Sequence, residues 1–210
     1  ALHREGRFAA VTNVREPPLE QAPRSRGRLV RDFVLGAGSA AGYAADVVAD
    51  GAAYSPYNLL LWDGAQLIRA GNREDPPGWE AVPAGLHGIS NGPFDAPWPK
   101  TLRLRALLGE WLAAQHAGDP DIAPLLQALA DEHRPADGEL PDTGVGIDLE
   151  RMLSATFIRG PQYGTRASTV LLVRRDGHAL LFERAFGPDK NMLGDTRLEL
   201  RLAPPSGTRP

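Results

Sequence analysis

The chain has 210 residues, 42% apolar and 23% charged, a composition that folds as an ordinary globular protein and excludes a disordered one. A net charge of -3 gives no global pull toward nucleic acid, and the absence of cysteine excludes disulfides, thiolate metal sites and thiol catalysis within these residues. No apolar run reaches the length of a membrane span, and the cysteine-free composition fits a reducing compartment, so a cytoplasmic location is expected.

Ala1 to Gly6 lacks the apolar core of a signal peptide and leads at once into a strand pattern, so the true start of the protein is expected upstream. Arg7 to Val14 reads as a strand after a turn at Glu5-Gly6. Proline-rich residues 17 to 23 read as loop. Arg28 to Leu35 reads as a helix, with Leu29, Val30, Phe33 and Val34 on one face and Gly36 as its stop. Arg24, Arg26, Arg28 and Arg31 interleave with apolar residues and read as a solvated face. Ser39 is an N-cap for a second helix carrying Tyr43, Val47 and Val48, which ends at Gly51.

Tyr57 to Trp62 reads as a strand, Asp63-Gly64 as a hairpin turn and Gln66 to Ala70 as the returning strand. After a Pro-Pro loop, Gly85 to Asn91 reads as a short strand. Two helices follow: one with Leu104, Leu107, Leu108, Trp111 and Leu112 on one face, the next over Ile122 to Glu132 with Leu125, Leu126 and Leu129 inward. Residues 134 to 146 are loop. Ser168 to Arg175 and Ala179 to Phe186 form a hairpin through Asp176-Gly177, and Arg197 to Leu202 alternates as a half-buried strand should. Dominant hairpins predict antiparallel sheets, and helical pairs between strand groups predict helices covering them. One domain over 1–203 and a frayed tail over 204–210 are expected.

The segment Pro161 to Val173 delivers Arg166 to the mouth of an apolar strand. A core strand has no need of an arginine at its entrance, whereas a guanidinium with five fixed donors suits an anionic or carbonyl-bearing ligand. The plainer alternative is that Arg166 caps the sheet edge or pairs with a surface carboxylate. Thr12-Asn13 and Ser90-Asn91 also read as strand ends on polar groups. Asparagine amides donate to oxyanions and carboxylates, or turn back onto their own backbone. Of the five histidines, none pairs with another at metal-ligand spacing on a helix face, and His87 alone lies near a candidate site. Gly144-Val145-Gly146 lacks the preceding strand and following lysine of a phosphate loop.

Seven segments occur in an order that resembles the NRDE family, also called the transport and Golgi organisation 2 family. They are Thr12-Asn13, Ser25-Arg26-Gly27, Tyr57-Asn58-Leu59-Leu60, Gly71-Asn72-Arg73, His87-Gly88-Ile89-Ser90-Asn91, Pro97-Trp98-Pro99-Lys100 and Tyr163-Gly164-Thr165-Arg166. The resemblance runs to about Leu202. It implies an α+β fold, an αββα sandwich of antiparallel sheets like that of N-terminal-nucleophile hydrolases. It also implies a link to haem trafficking.

On that resemblance Asn13, Asn91 and Arg166 are the candidate catalytic groups. Arg166, His87, Trp98 and Tyr163 are the candidate haem-binding groups, with no metal ion expected otherwise. The implied partner is a small molecule with carboxylate or amide groups, not nucleic acid, and the oligomeric state is left open. Members of the family begin Met-Cys and carry an Asn-Arg-Asp-Glu motif, both expected ahead of Ala1; Asn72-Arg73-Glu74-Asp75 is a mid-chain decoy. A chain without that cysteine cannot perform N-terminal-nucleophile chemistry. Haem binding therefore leads, ahead of a cysteine hydrolase of linear amides and a plain interaction module. A missing segment would also leave strand edges open to another chain.

Overall fold

The computed structural model describes residues 1–17, 22–73, 77–115 and 119–203. The fold is α+β, with five helices and two antiparallel sheets. The chain forms two compact units. The first comprises Ala1–Gly85, Ile89–Ala96 and the residues from Arg201; the second comprises Leu86–Gly88 and Pro97–Leu200.

The first unit holds β1 (Phe8–Asn13), α1 (Gly27–Leu35), α2 (Ala40–Ala49), β2 (Tyr57–Trp62), β3 (Leu67–Gly71) and β4 (Gly78–Ala81), the strands lying in the order β1-β2-β3-β4. Register sets Ala9 against Leu61, Val11 against Leu59 and Leu61 against Ile68, so one pleat face of three strands is apolar. Tyr57, Leu59 and Leu61 on that face are fully buried under Leu29, Phe33 and Val34 of α1 and Ala40, Ala44 and Val47 of α2. The Ser39 hydroxyl accepts from the Gly42 N–H, as an N-cap should.

Asp63 adds a second cap. Its carboxylate accepts from Ala65 N and Gln66 N within the hairpin turn and from Ala40 N at the first turn of α2. Burial alone would raise its pKa, but these backbone donors outweigh burial and hold it below the usual carboxylate range.

Arg7 is a buried charge of this unit. Its Nε donates to Phe33 O at 3.0 Å and its Nη1 to Gly38 O at 2.7 Å, while the guanidinium lies 4.0 Å from the Phe33 ring centroid. It thus adds a second, side-chain donor to the Phe33 carbonyl in the last turn of α1, which also accepts from Gly36 N at 3.3 Å.

The second unit holds α3 (Pro99–Ala113), α4 (Ala123–Leu129), α5 (Ile147–Leu153), β5 (Ala167–Val173), β6 (His178–Phe186) and β7 (Met192–Arg201), with strand order β5-β6-β7. Val170 faces Phe182 and Leu172 faces Leu180 across β5 and β6. Ile122, Val170 and Leu180 are buried, and Leu125, Leu126, Leu129, Leu172 and Phe182 pack around them half-buried. Phe157 meets Phe186 edge-on at 4.8 Å, with Lys190 Nζ 4.7 Å from the Phe157 ring. The turn between β5 and β6 uses Gly177 at φ 84, as Asp-Gly turns require.

Several expectations need correction. Gly85 to Asn91 is not a strand; the paired segment is β4, which precedes it. Residues 147–153 form a helix that no apolar pattern announced. The helix expected to reach Glu132 ends at Leu129. Leu112 is 50% exposed rather than on the packed face of α3. β7 alternates in sequence yet is exposed along nearly its whole length, so its alternation does not mark a half-buried strand. His116, Glu74, Asp75 and the tail from Pro204 lie outside the described residues.

Candidate functional site

Thr12 and Asn58 sit directly opposite on β1 and β2, on the pleat face away from α1 and α2. Asn58 interrupts an otherwise apolar strand and is itself buried. Its Nδ2 donates to Thr12 Oγ1 at 3.2 Å and to Gly92 O at 2.9 Å, with a longer contact to Ser90 O at 3.4 Å. Thr12 Oγ1 in turn donates to Ser90 O at 2.6 Å. Residues 90–92 are therefore held by side chains of two strands instead of by a ladder of their own. This is why the segment reads as a strand end in sequence and is none.

Beside this clasp, Asn91 Nδ2 donates to Asn13 O at 2.8 Å, and Arg15 N donates to Asn91 O at 2.6 Å. Asn91 thus binds the chain just past β1 with both side chain and backbone, across 78 residues of sequence. One Asn91 donor is committed to this bond. The Asn13 side chain stands exposed at the strand end. The two asparagines meet; Arg166 belongs to the second unit, as do His87, Trp98 and Tyr163.

In that unit the loop before β5 is tightly folded. Thr165 N donates to Ile158 O at 2.9 Å, and Ile158 N donates to Thr165 Oγ1 at 3.0 Å. A Cβ on Gly164 would lie 2.8 Å from Ile158 O, and one on Gly160 would lie 2.5 Å from Tyr163 O, so both positions demand glycine. Phe186 N fixes the Arg166 backbone by donating to its carbonyl at 2.8 Å. The side chain above this fixed backbone is exposed. Among the described residues its one hydrogen bond is a long one, Nη2 to Gln162 O at 3.4 Å. Tyr163 on the same loop is 59% exposed.

His87 and Trp98 are half-buried. His87 precedes Gly88, where any Cβ would stand 2.2 Å from Thr101 Cγ2 of α3, and Trp98 is the residue from which α3 starts. Lys100 Nζ lies 6.0 Å from the Trp98 ring. No three His, Asp or Glu side chains converge in a metal-holding group among the described residues.

A cavity of about 530 Å³ in the first unit lies elsewhere, lined by Val48, Gly51, Tyr54, Pro56, Asn72 and Arg73 among others. Asn72 is spent on structure: its Oδ1 accepts from Tyr57 N, and its Nδ2 donates to Gly51 O and Tyr54 O. Arg73 pairs with Glu16 at 2.5 Å. Asn72 and Asn58 are both backbone ties, and the sequence signal that marks them is a lone asparagine within or just past an apolar strand.

The sequence profile of the transport and Golgi organisation 2 family matches residues 1–188. The chain is 32% identical over 192 residues to a human transport and Golgi organization protein 2 homolog, an alignment covering 86% of this chain and 68% of the relative. The bovine homolog of that name is 33% identical over 215 aligned positions, covering 94% and 75%. A mouse homolog is 28% identical over 192 residues, covering 86% and 68%.

Proposed function

We propose that this chain, which belongs to the transport and Golgi organisation 2 family, is a cytoplasmic binding protein that carries haem without catalysing a reaction on it. The observation that carries the reading is Arg166: a guanidinium on a fixed backbone, exposed, and held only by one long bond among the described residues. Such a group keeps its donors for a carboxylate, and haem presents two propionates. Tyr163 offers an exposed ring on the same loop. His87, Trp98, Tyr163 and Arg166 all belong to one compact unit. Arg166 holds a propionate, and the aromatic groups border the macrocycle. A carrier gains from this arrangement, because a peripheral arginine and aromatic contacts release their ligand more readily than a strong axial bond.

The test is a titration with haem followed at its Soret band, run beside the dimethyl ester of haem. Binding of the free acid is expected to be roughly tenfold tighter than that of the ester, and Arg166→Gln should erase the difference. Arg73→Gln, which alters the other cavity, should leave it intact. The absence of any Soret change, or equal binding of acid and ester, overturns the reading.

A second reading is amide hydrolysis by an N-terminal cysteine, with Asn13 and Asn91 as oxyanion donors and Arg166 on the substrate carboxylate. The exposed Asn13 amide beside Asn91 favours it. It needs a cysteine that this sequence does not contain. A thiol-directed acylating probe applied to a family member carrying that cysteine decides it: labelling supports the reading, and an unreactive thiol removes it.

A further inference from the structure

Among the described residues β7 is the longest strand and an edge of the β5-β6-β7 sheet. Its side chains are exposed along nearly its whole length, including Met192, Leu193 and Leu198. An exposed edge offers a row of backbone donors and acceptors to any chain that can align with it. Proteins commonly discourage this with proline, bulges or charged side chains. β7 contains no proline, and its charges alternate: Asp195, Arg197, Glu199 and Arg201. Side chains alternate along a strand, so these four share one face, while Thr196, Leu198 and Leu200 share the other. Asp195 is held in place by the β6 residue Arg184, whose Nε and Nη2 each lie 2.8 Å from its carboxylate oxygens.

Read backwards, the sign pattern minus, plus, minus, plus becomes its own complement. We propose that β7 pairs antiparallel with β7 of a second copy of this chain, about a two-fold axis at Leu198. In that register Arg197 faces Glu199 of the second copy and Asp195 faces its Arg201, each pair occurring twice. On the opposite face Leu198 meets its own counterpart and Thr196 meets Leu200. Moving the axis one residue, to Arg197, sets Arg197 against itself and Asp195 against Glu199. Directly opposed like charges oppose pairing, so sequence chooses the register. The two three-stranded sheets join into one, and β7 ceases to be an edge.

Light scattering coupled to gel filtration should give twice the chain mass across the micromolar range. Glu199→Arg places like charges at both Arg197 contacts and should weaken the dimer roughly tenfold or more. Adding Arg197→Glu to it restores opposite charges and should recover the dimer. Leu198→Cys provides a measurement independent of affinity: a residue on the axis faces itself and should form an intermolecular disulfide on mild oxidation. Thr196→Cys and Leu200→Cys do not face themselves and should cross-link far less. Circular dichroism of each variant separates loss of pairing from loss of folding. A monomer at every concentration overturns the proposal. So does a dimer indifferent to the charge reversal, or equal cross-linking at 196, 198 and 200.

Discussion

The β1–β4 sheet and the β5–β7 sheet spend their apolar residues differently. In the first, Tyr57, Leu59 and Leu61 are sealed beneath two helices, and even the arginine at the strand entrance, Arg7, is turned inward to serve a helix end. In the second, Val170, Ala179, Leu180 and Phe186 are buried, Leu172 and Phe182 are half-covered, and the arginine at the strand entrance, Arg166, is turned outward. Two arginines in equivalent sequence contexts therefore do opposite work. One completes a fold, and the other stands exposed with one long hydrogen bond among the described residues. The difference lies in what each meets: backbone carbonyls in and just past the last turn of α1 in one case, a closed glycine-bearing loop with its backbone already hydrogen-bonded in the other.

Core truncation should separate the two units most sharply. Phe33→Ala removes a fully buried ring that also supports the Arg7 guanidinium, and should cost about 3–5 kcal/mol in urea unfolding. Leu180→Ala, at the looser core of the second unit, should cost about 2 kcal/mol, the low end for such changes. Equal losses would remove the distinction.

Arg7→Met keeps the stem and deletes the donors to Phe33 O and Gly38 O. We expect a loss of about 2–3 kcal/mol, measured by thermal or denaturant unfolding. Arg166→Met should be within about 0.5 kcal/mol of the parent by the same measurement, as an exposed residue with one weak bond.

A further effect is a pH dependence confined to the first unit. Burial pushes the Tyr43 and Tyr57 phenols up to about 12. Their hydroxyls donate to Leu29 O and Val47 O. In the unfolded chain they titrate near ~10. Their contribution is complete below that value and is lost as pH rises from about 10 to about 12, where the unfolded chain has already released its protons. Allowing for solvent screening of the partly exposed Tyr43, the loss should be about 1–2 kcal/mol across that window. Urea unfolding at stepped pH checks it, and Tyr57→Phe should flatten the curve.

The helices and hairpins that the sequence makes legible share one property: their signal is local. Ser39 caps the helix it precedes, and Asp63-Gly64 and Asp176-Gly177 turn the strands they join. The elements that escape notice are those made by distant partners or by too few residues to show a period. β4 has four residues and α5 seven, each shorter than a reliable repeat. Gly85 to Asn91 has the composition of a strand end, but its polar groups are claimed by Thr12 and Asn58 from far along the chain. The meeting of Asn13 and Asn91 is invisible for the same reason. β7 misleads in the other direction: alternation predicts two faces of different character, and says nothing about whether a core lies against either.

The Asp63 carboxylate bears on the order in which the first unit assembles. It ties the β2–β3 turn to the start of α2 across 23 residues with a single side chain. A hairpin and a helix that would otherwise nucleate separately are made to commit together, because the carboxylate is fully coordinated only when both are in place. Amide exchange at Ala40 and Gln66 should accordingly report one opening event, and Asp63→Ala should split it into two, with the helix start exchanging ahead of the hairpin.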